Sequence, residues 1–297
     1  MATSALYDAA IGDYDVFQIT NLSYNPGWNV AQHHFSGGVS PQQSEINYGD
    51  PVVSITTGDL SGMITSVNML SGLAVTSGTV VFYQNDRAAG GVFAAEGNAH
   101  SISFTDGLLV PTEISASQDN EDGAMAMMEF HGASSTGLVS PATYTASVTP
   151  PAQTFVNVYD LGPFKYNSTT IDGVTDVKVM PGINVNKKRY NGLPFVTMFG
   201  LTINEARPSI EVTFEDQASA HSFANFVAVS GTCIAYFRDR AVGGLRVANA
   251  TTSHVACTLT GGLAVATGVS GSNRDNNSFT VSVSGHTLAL ASNSAIS

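Results

Sequence analysis

The stretch Pro26-Gly27-Trp28-Asn29-Val30 returns 155 positions later as Pro181-Gly182-Ile183-Asn184-Val185. Other matches follow in the same order. Ile46-Asn47 with Pro51 returns as Ile203-Asn204 with Pro208, and Ser77-Gly78-Thr79 as Ser230-Gly231-Thr232. Tyr83, Asp86-Arg87-Ala88 and Gly90-Gly91 return as Tyr236, Asp239-Arg240-Ala241 and Gly243-Gly244. Gly107-Leu108, Val110, Thr112, Ser115 and Ser117 return as Gly262-Leu263, Val265, Thr267, Ser270 and Ser272. So many ordered matches at offsets of 153 to 157 read as a tandem duplication. The chain of 297 residues then divides into one unit over 1–150 and a second over 151–297. Residues 132–171, with Pro150-Pro151, read as the joining segment, and the last ten residues as a mobile arm.

Within each unit the apolar spacing separates one helix from many strands. Leu60, Met63, Ile64 and Val67 fall at helical spacing behind Asp59 as N-cap. Ala220, Phe223, Ala224 and Val227 do the same behind Asp216. Phe279, Val281 and Val283 alternate with Thr280, Ser282 and Ser284, the period-two pattern of a half-buried strand. Gly78 to Tyr83 and Gly231 to Phe237 read as strands, while Asp86 to Gly91 and Asp239 to Gly244 read as hairpin turns. Residues 113–131 read as a further hairpin turning near Asp119 to Gly123. Residues 31–48 and 186–204 read as long polar loops, of a length usually kept for function. The expectation is a mainly β protein: two tandem copies of a β-sandwich or barrel module of six to eight strands, each with one short flanking α-helix.

Composition narrows the function. Only 11% of residues are charged, against about 25% in ordinary domains, so Ser, Thr, Asn and Gly must cover much of the surface. The net charge of −12 is uneven. Residues 1–153 carry fourteen acids and one base, Arg87; residues 154–297 carry nine acids and ten bases. Such acidity disfavours general nucleic-acid binding, which needs cations against phosphate. The N-terminus lacks the basic and apolar regions of a signal peptide, and no apolar run is long enough to cross a bilayer.

The repeat also weighs candidate sites. Cys233 and Cys257 stand where the first copy has Val80 and Ile102, so both read as buried core thiols. His33-His34 matches Lys188-Arg189, which favours an exposed polar loop over a metal pair; His131 matches His286, a structural repetition. The cluster Asp119, Glu121, Asp122 fails calcium-loop spacing and reads as a hairpin tip. No phosphate loop, dinucleotide fingerprint, zinc spacing or serine elbow is present, so no catalytic residue, metal or cofactor is expected. Aligning Thr280, Ser282 and Ser284 with Met125, Met127 and Glu129 makes Met125 and Met127 either candidate contacts between modules or an extra core layer under the joining segment. Arg87 and Arg240, each in an Asp-Arg pair kept in both copies, read either as solvated arginines beside a turn aspartate or as candidate salt links to a neighbouring module. Acids without an acidic counterpart, Asp106, Glu113 and Glu121, are candidates to line a channel.

The layout of strand, polar loop, Pro-led strand, short helix and two hairpins resembles the tail tube proteins of long-tailed bacteriophages. The stretches that carry it are Asp59 to Tyr83 with Val110 to Phe130, and Asp216 to Tyr236 with Val265 to Val283. The resemblance implies a structural virion protein, assembled in the host cytoplasm and resident in the tail. It implies a homotrimer whose pseudo-hexameric rings stack, meet other tail proteins and let DNA pass during ejection without specific binding. Another tail ring, distal or baseplate, shares that layout. A carbohydrate-binding virion spike or fibre is a third reading, with Trp28, Phe35 and Tyr48 as gripping aromatics. A glycoside hydrolase needs two carboxylates about 5–10 Å apart, and the scattered acids give it little support.

Overall fold

A computed structural model describes residues 3–34, 36, 39–41, 43–76, 79–87, 99–119, 123–134, 140–151, 156–189, 198–215, 230–241, 244–271 and 277–297. The protein is mainly β, with large antiparallel sheets and one short helix among the described residues. In the first half lie β1 (Thr3–Ile11), β2 (Tyr14–Val16), β3 (Ile19–Asn25), β4 (Asn29–His33), β5 (Gln43–Tyr48) and β6 (Val52–Thr57). Helix α1 (Leu60–Ser66) follows, then β7 (Leu73–Val75), β8 (Val80–Arg87), β9 (Ala99–Phe104), β10 (Asp106–Ser117), β11 (Met125–Ala133) and β12 (Ala142–Val148). The second half holds β13 (Val158–Tyr166), β14 (Thr169–Ile171), β15 (Val174–Met180), β16 (Ile183–Arg189), β17 (Met198–Ala206) and β18 (Ser209–Phe214). It ends with β19 (Ser230–Arg240), β20 (His254–Ser270), β21 (Ser278–Ser284) and β22 (Thr287–Ser294).

Helix α1 begins where expected. Asp59 accepts a hydrogen bond from the Gly62 amide at 2.8 Å, and Leu60 and Met63 face the core. Burial holds the Asp59 carboxyl above its ordinary pKa despite that bond. The second expected helix, behind Asp216, lies outside the described residues.

Several expected boundaries move. The joining segment 132–171 contains β12, β13 and β14, leaving little chain between the halves. The last ten residues are not an arm: β22 pairs with β20, with Leu288 opposite Leu259, because Leu288 and Ile296 have apolar surface to bury. The polar loops are hairpins, β4–β5 and β16–β17, whose cross-strand bonds the polar composition concealed. β8 and β19 run through Arg87 and Arg240, so the two Asp-Arg pairs sit in strands and not in turns. Short strands and the two hairpins raise the count above six to eight per half.

Eight pairings of the first half have a counterpart in the second. β1–β2, β1–β8, β8–β9 and β9–β12 correspond to β13–β14, β13–β19, β19–β20 and β20–β22. β10–β11, β11–β6, β6–β3 and β4–β5 correspond to β20–β21, β21–β18, β18–β15 and β16–β17. Registers agree as well. Thr3 faces Arg87 as Val158 faces Arg240, and Phe82 faces Ile102 as Ala235 faces Cys257. The ladders correct one alignment by two residues. Val110 faces Glu129 and Val265 faces Ser282, so Ser282 stands where Glu129 does and Thr280 where Met127 does.

The halves meet edge to edge. β10 pairs with β15 through Ile114–Val179, Ser115–Lys178, Ala116–Val177 and Ser117–Asp176. This seam makes one continuous sheet, β14-β13-β19-β20-β21-β18-β15-β10-β11-β6-β3. Against it, in the first half, lies the five-stranded sheet β12-β9-β8-β1-β2. Phe82 and Phe104 of that sheet meet Phe130 of β11 with ring centroids 5.6 and 5.3 Å away, filling the space between layers. Gly132 permits the approach: a Cβ there would lie 2.6 Å from the Phe104 ring. In the second half Phe164, Phe214 and Phe237 are buried alongside Cys233 and Cys257, and the core runs on from one half to the other. Burial pushes the Cys233 thiol up to about 12 and Cys257 well above the ordinary range, as core thiols require.

Candidate functional site

Strand alternation splits the continuous sheet into two faces. Ile114, Ala116, Val177, Val179, Ile210 and Val212 point into the core. Their neighbours point the other way, and there the charged side chains of β10, β11, β15 and β18 collect. Lys178 lies across from Ser115 on one side and Glu211 on the other, with Asp176 two residues along its own strand. Glu113 faces Met127, and Glu129 faces Ser54. Near the seam these four strands carry the acids Glu113, Glu129, Asp176 and Glu211 against the single cation Lys178. Desolvation raises the Asp176 carboxyl above its ordinary value; Lys178 opposes the rise, and Glu113 and Glu211 add to it. The face is therefore a polar, net-acidic strip along the seam.

Of the expected channel acids, Glu113 is in this strip. Asp106 lies seven residues back on β10, roughly 23 Å away at strand rise, where it borders a cavity with Leu108, Gly200 and Leu201. Glu121 lies outside the described residues. Sequence comparison missed Glu129, Asp176, Lys178 and Glu211. Period-two alternation marks each as outward, but only the β10–β15 pairing reveals that they share one strip.

Met127 is exposed on this face between Glu113 and Thr56, and Met125 is half-buried beside it. Arg240 is held within its own half: its guanidinium lies 2.6 Å from Asp160, which Arg246 also approaches at 3.6 Å. Arg87 ends β8 opposite Thr3, and its side chain lies outside the described set.

Hairpin β16–β17 crosses from the second half onto the first. Lys187 Nζ lies 2.9 Å from both carboxylate oxygens of Asp50. Beneath it His131 is buried, and desolvation, with Lys187 nearby, lowers its imidazole to about 4; Asp50 opposes that shift. The corresponding hairpin β4–β5 stands more freely, with Val30 and Ile46 exposed and His33 bonded to Glu45 at 2.9 Å. Trp28, about half exposed, and Tyr144, more so, border a cavity of about 220 Å³ with Tyr24, Pro26 and Pro141. Among the described residues no group of three or more His, Cys, Asp or Glu side chains is placed to hold a metal ion. No helix is long and apolar enough to cross a membrane, among the same residues. No family model matches the chain, and no curated protein matches it in sequence.

Proposed function

We propose that the chain is a tandem duplication of one β-sandwich unit, over 1–150 and 151–297, and that three chains close a ring of six units. Stacked rings then form the tube of a phage tail, through which DNA passes. The observation that carries this reading is the seam: two halves with matching pairings are joined edge to edge through β10 and β15. A sheet extended in this way has open ends, and closing it on itself removes the exposed edges that isolated sheets must otherwise protect. The acidic strip supports a conducting role, since carboxylates along a channel repel phosphate and leave DNA free to slide. The duplication spreads this property unevenly, because the first half holds fourteen of the acids.

The test is mass and shape. Concentrated protein should assemble in multiples of three 30.9-kDa chains and appear as stacked rings by electron microscopy. A persistent monomer at high concentration would remove the reading. The same ring at a distal or baseplate position is separated by stacking: a tube protein polymerises alone. One observation favours a carbohydrate-binding role instead, the exposed Trp28–Tyr144 cavity. Glycan-array binding lost in Trp28→Ala would support that role.

A further inference from the structure

The seam inside the chain leaves two unmatched surfaces at its ends. β10 is covered along one edge by β15, so Ile114 at the seam is 0% exposed. Val269 occupies the corresponding place on β20, facing Phe279 as Ile114 faces Ala126. Yet Val269 is 69% exposed, and among the described residues no strand pairs with 268–270 on the side away from β21. At the other end, β3 terminates the sheet with one edge open among the described residues. β3 corresponds to β15: Leu22 faces Ile55 as Val177 faces Val212. Its exposure is correspondingly higher, with Thr20, Asn21, Ser23 and Asn25 exposed where their β15 counterparts are half-buried.

A second contact points the same way. Leu108 and Val110 lie on the outward face but are buried, and Leu108 shares a cavity wall with Gly200 and Leu201 of the β16–β17 hairpin. Their counterparts Leu263 and Val265 are 41% and 48% exposed. The counterpart of the hairpin is β4–β5, whose Val30 and Ile46 are also exposed. The charge link has a partial analogue: Asp50, which receives Lys187, corresponds to the exposed Arg207, and β5 carries the exposed carboxylate Glu45.

We propose that the chain binds a second copy of itself head to tail: the β20 edge from Gly268 to Gly271 pairs with the β3 edge of the next copy. The register is that of the internal seam, with Val269 opposite Tyr24 and Ser270 opposite Ser23. The next copy's β4–β5 hairpin then covers Leu263 and Val265. The inference rests on the proposed duplication, and not on DNA conduction or on a ring of three. Each chain offers one surface and receives the other, so the contact propagates until it closes or runs on as a filament.

Ser23 and Ser270 are both exposed, so replacing them with cysteine leaves the core intact. Directly opposed residues on antiparallel strands have Cα atoms about 4.5–5.5 Å apart, within disulfide reach. The two native thiols are buried and do not compete. Under mild oxidation the S23C/S270C chain should form covalent multimers that reducing agent dissolves, while each single variant stays monomeric on a denaturing gel. Val269→Lys, which places a charge at the exposed edge, should weaken self-association at least tenfold with the monomer still folded by circular dichroism. Covalent products stopping at three chains support both the pairing and the ring; an unbroken ladder supports the pairing and removes the ring of three. Assemblies that form without any cross-link, or that Val269→Lys leaves intact, overturn the pairing whatever the ring size.

Discussion

Ile114→Ala and Val269→Ala are the same kind of change at corresponding positions, and the two should differ sharply in the unassembled chain. Ile114 loses three carbons from a site with no solvent exposure. At about 0.8 kcal/mol per buried methylene this is roughly 2.4 kcal/mol, and the cavity left behind brings it to about 3–4 kcal/mol. Val269 loses two carbons from a site already 69% exposed, so only about a third of their transfer energy is at stake, roughly 0.5 kcal/mol. Urea denaturation at a concentration too low for assembly should separate the two, with an unchanged slope and a much lower midpoint for Ile114→Ala alone. In the assembled state the order narrows. Covering Val269 against a second copy would add about 1 kcal/mol per junction to its cost, read as about a fivefold weaker association in sedimentation. Equal destabilisation of the unassembled chain by both variants would refute the reasoning, because the second edge would then be covered without any partner. A loss below about 1 kcal/mol for Ile114→Ala would mean that the internal seam is not tightly packed.

Asp59→Ala should cost about 1 kcal/mol by removing the cap that receives the Gly62 amide, and Asp59→Asn should cost much less; thermal melts compare them. Asp8 is buried, and desolvation, opposed by the Ala9 amide and aided by Asp15, raises its carboxyl to about 7. The folded state thus holds a proton that the unfolded state has released. Stability is lost as pH climbs from about 4 to about 7, and Asp8→Asn should recover on the order of 2–4 kcal/mol at pH 8. A melt at pH 8 no better than wild type would sink this assignment. His131 acts in the opposite sense. Held to about 4 by desolvation and Lys187, it favours folding above the ordinary imidazole value, and that contribution, on the order of 2–3 kcal/mol, is lost as pH falls from about 6.5 through 4. The two groups oppose each other between pH 4 and 6.5, so His131→Gln should expose a profile that falls steadily with rising pH. Lastly, Glu113→Lys should leave the fold intact while slowing DNA passage through an assembled tube; normal ejection would detach the acidic strip from that role.

Local pattern was legible in the chain, and pairing across the halves was not. The spacing of Leu60, Met63 and Val67 behind Asp59 specifies a helix because every contact involved is within a turn or two. Cys233 and Cys257 could be placed in the core because each stands at a β-branched position of the other half. The hairpins β4–β5 and β16–β17 were hidden because their apolar residues are few: Ile183 and Val185 alternate with asparagines for only four residues before Lys187-Lys188-Arg189, and β4 is mostly exposed. β22 was hidden for a related reason: its Ser- and Ala-rich sequence carries little apolar contrast, and its strand state depends on the open edge of β20. The pattern of recurring residues proposes which positions correspond, and the strand ladders shift one of those matches by two residues. It says nothing of how one half meets the other, because an edge-to-edge seam is made by backbone amides and carbonyls that every residue possesses. Only the tertiary structure decided that β10 receives β15, and so that Ile114 is covered while Val269, its counterpart, is left open to solvent.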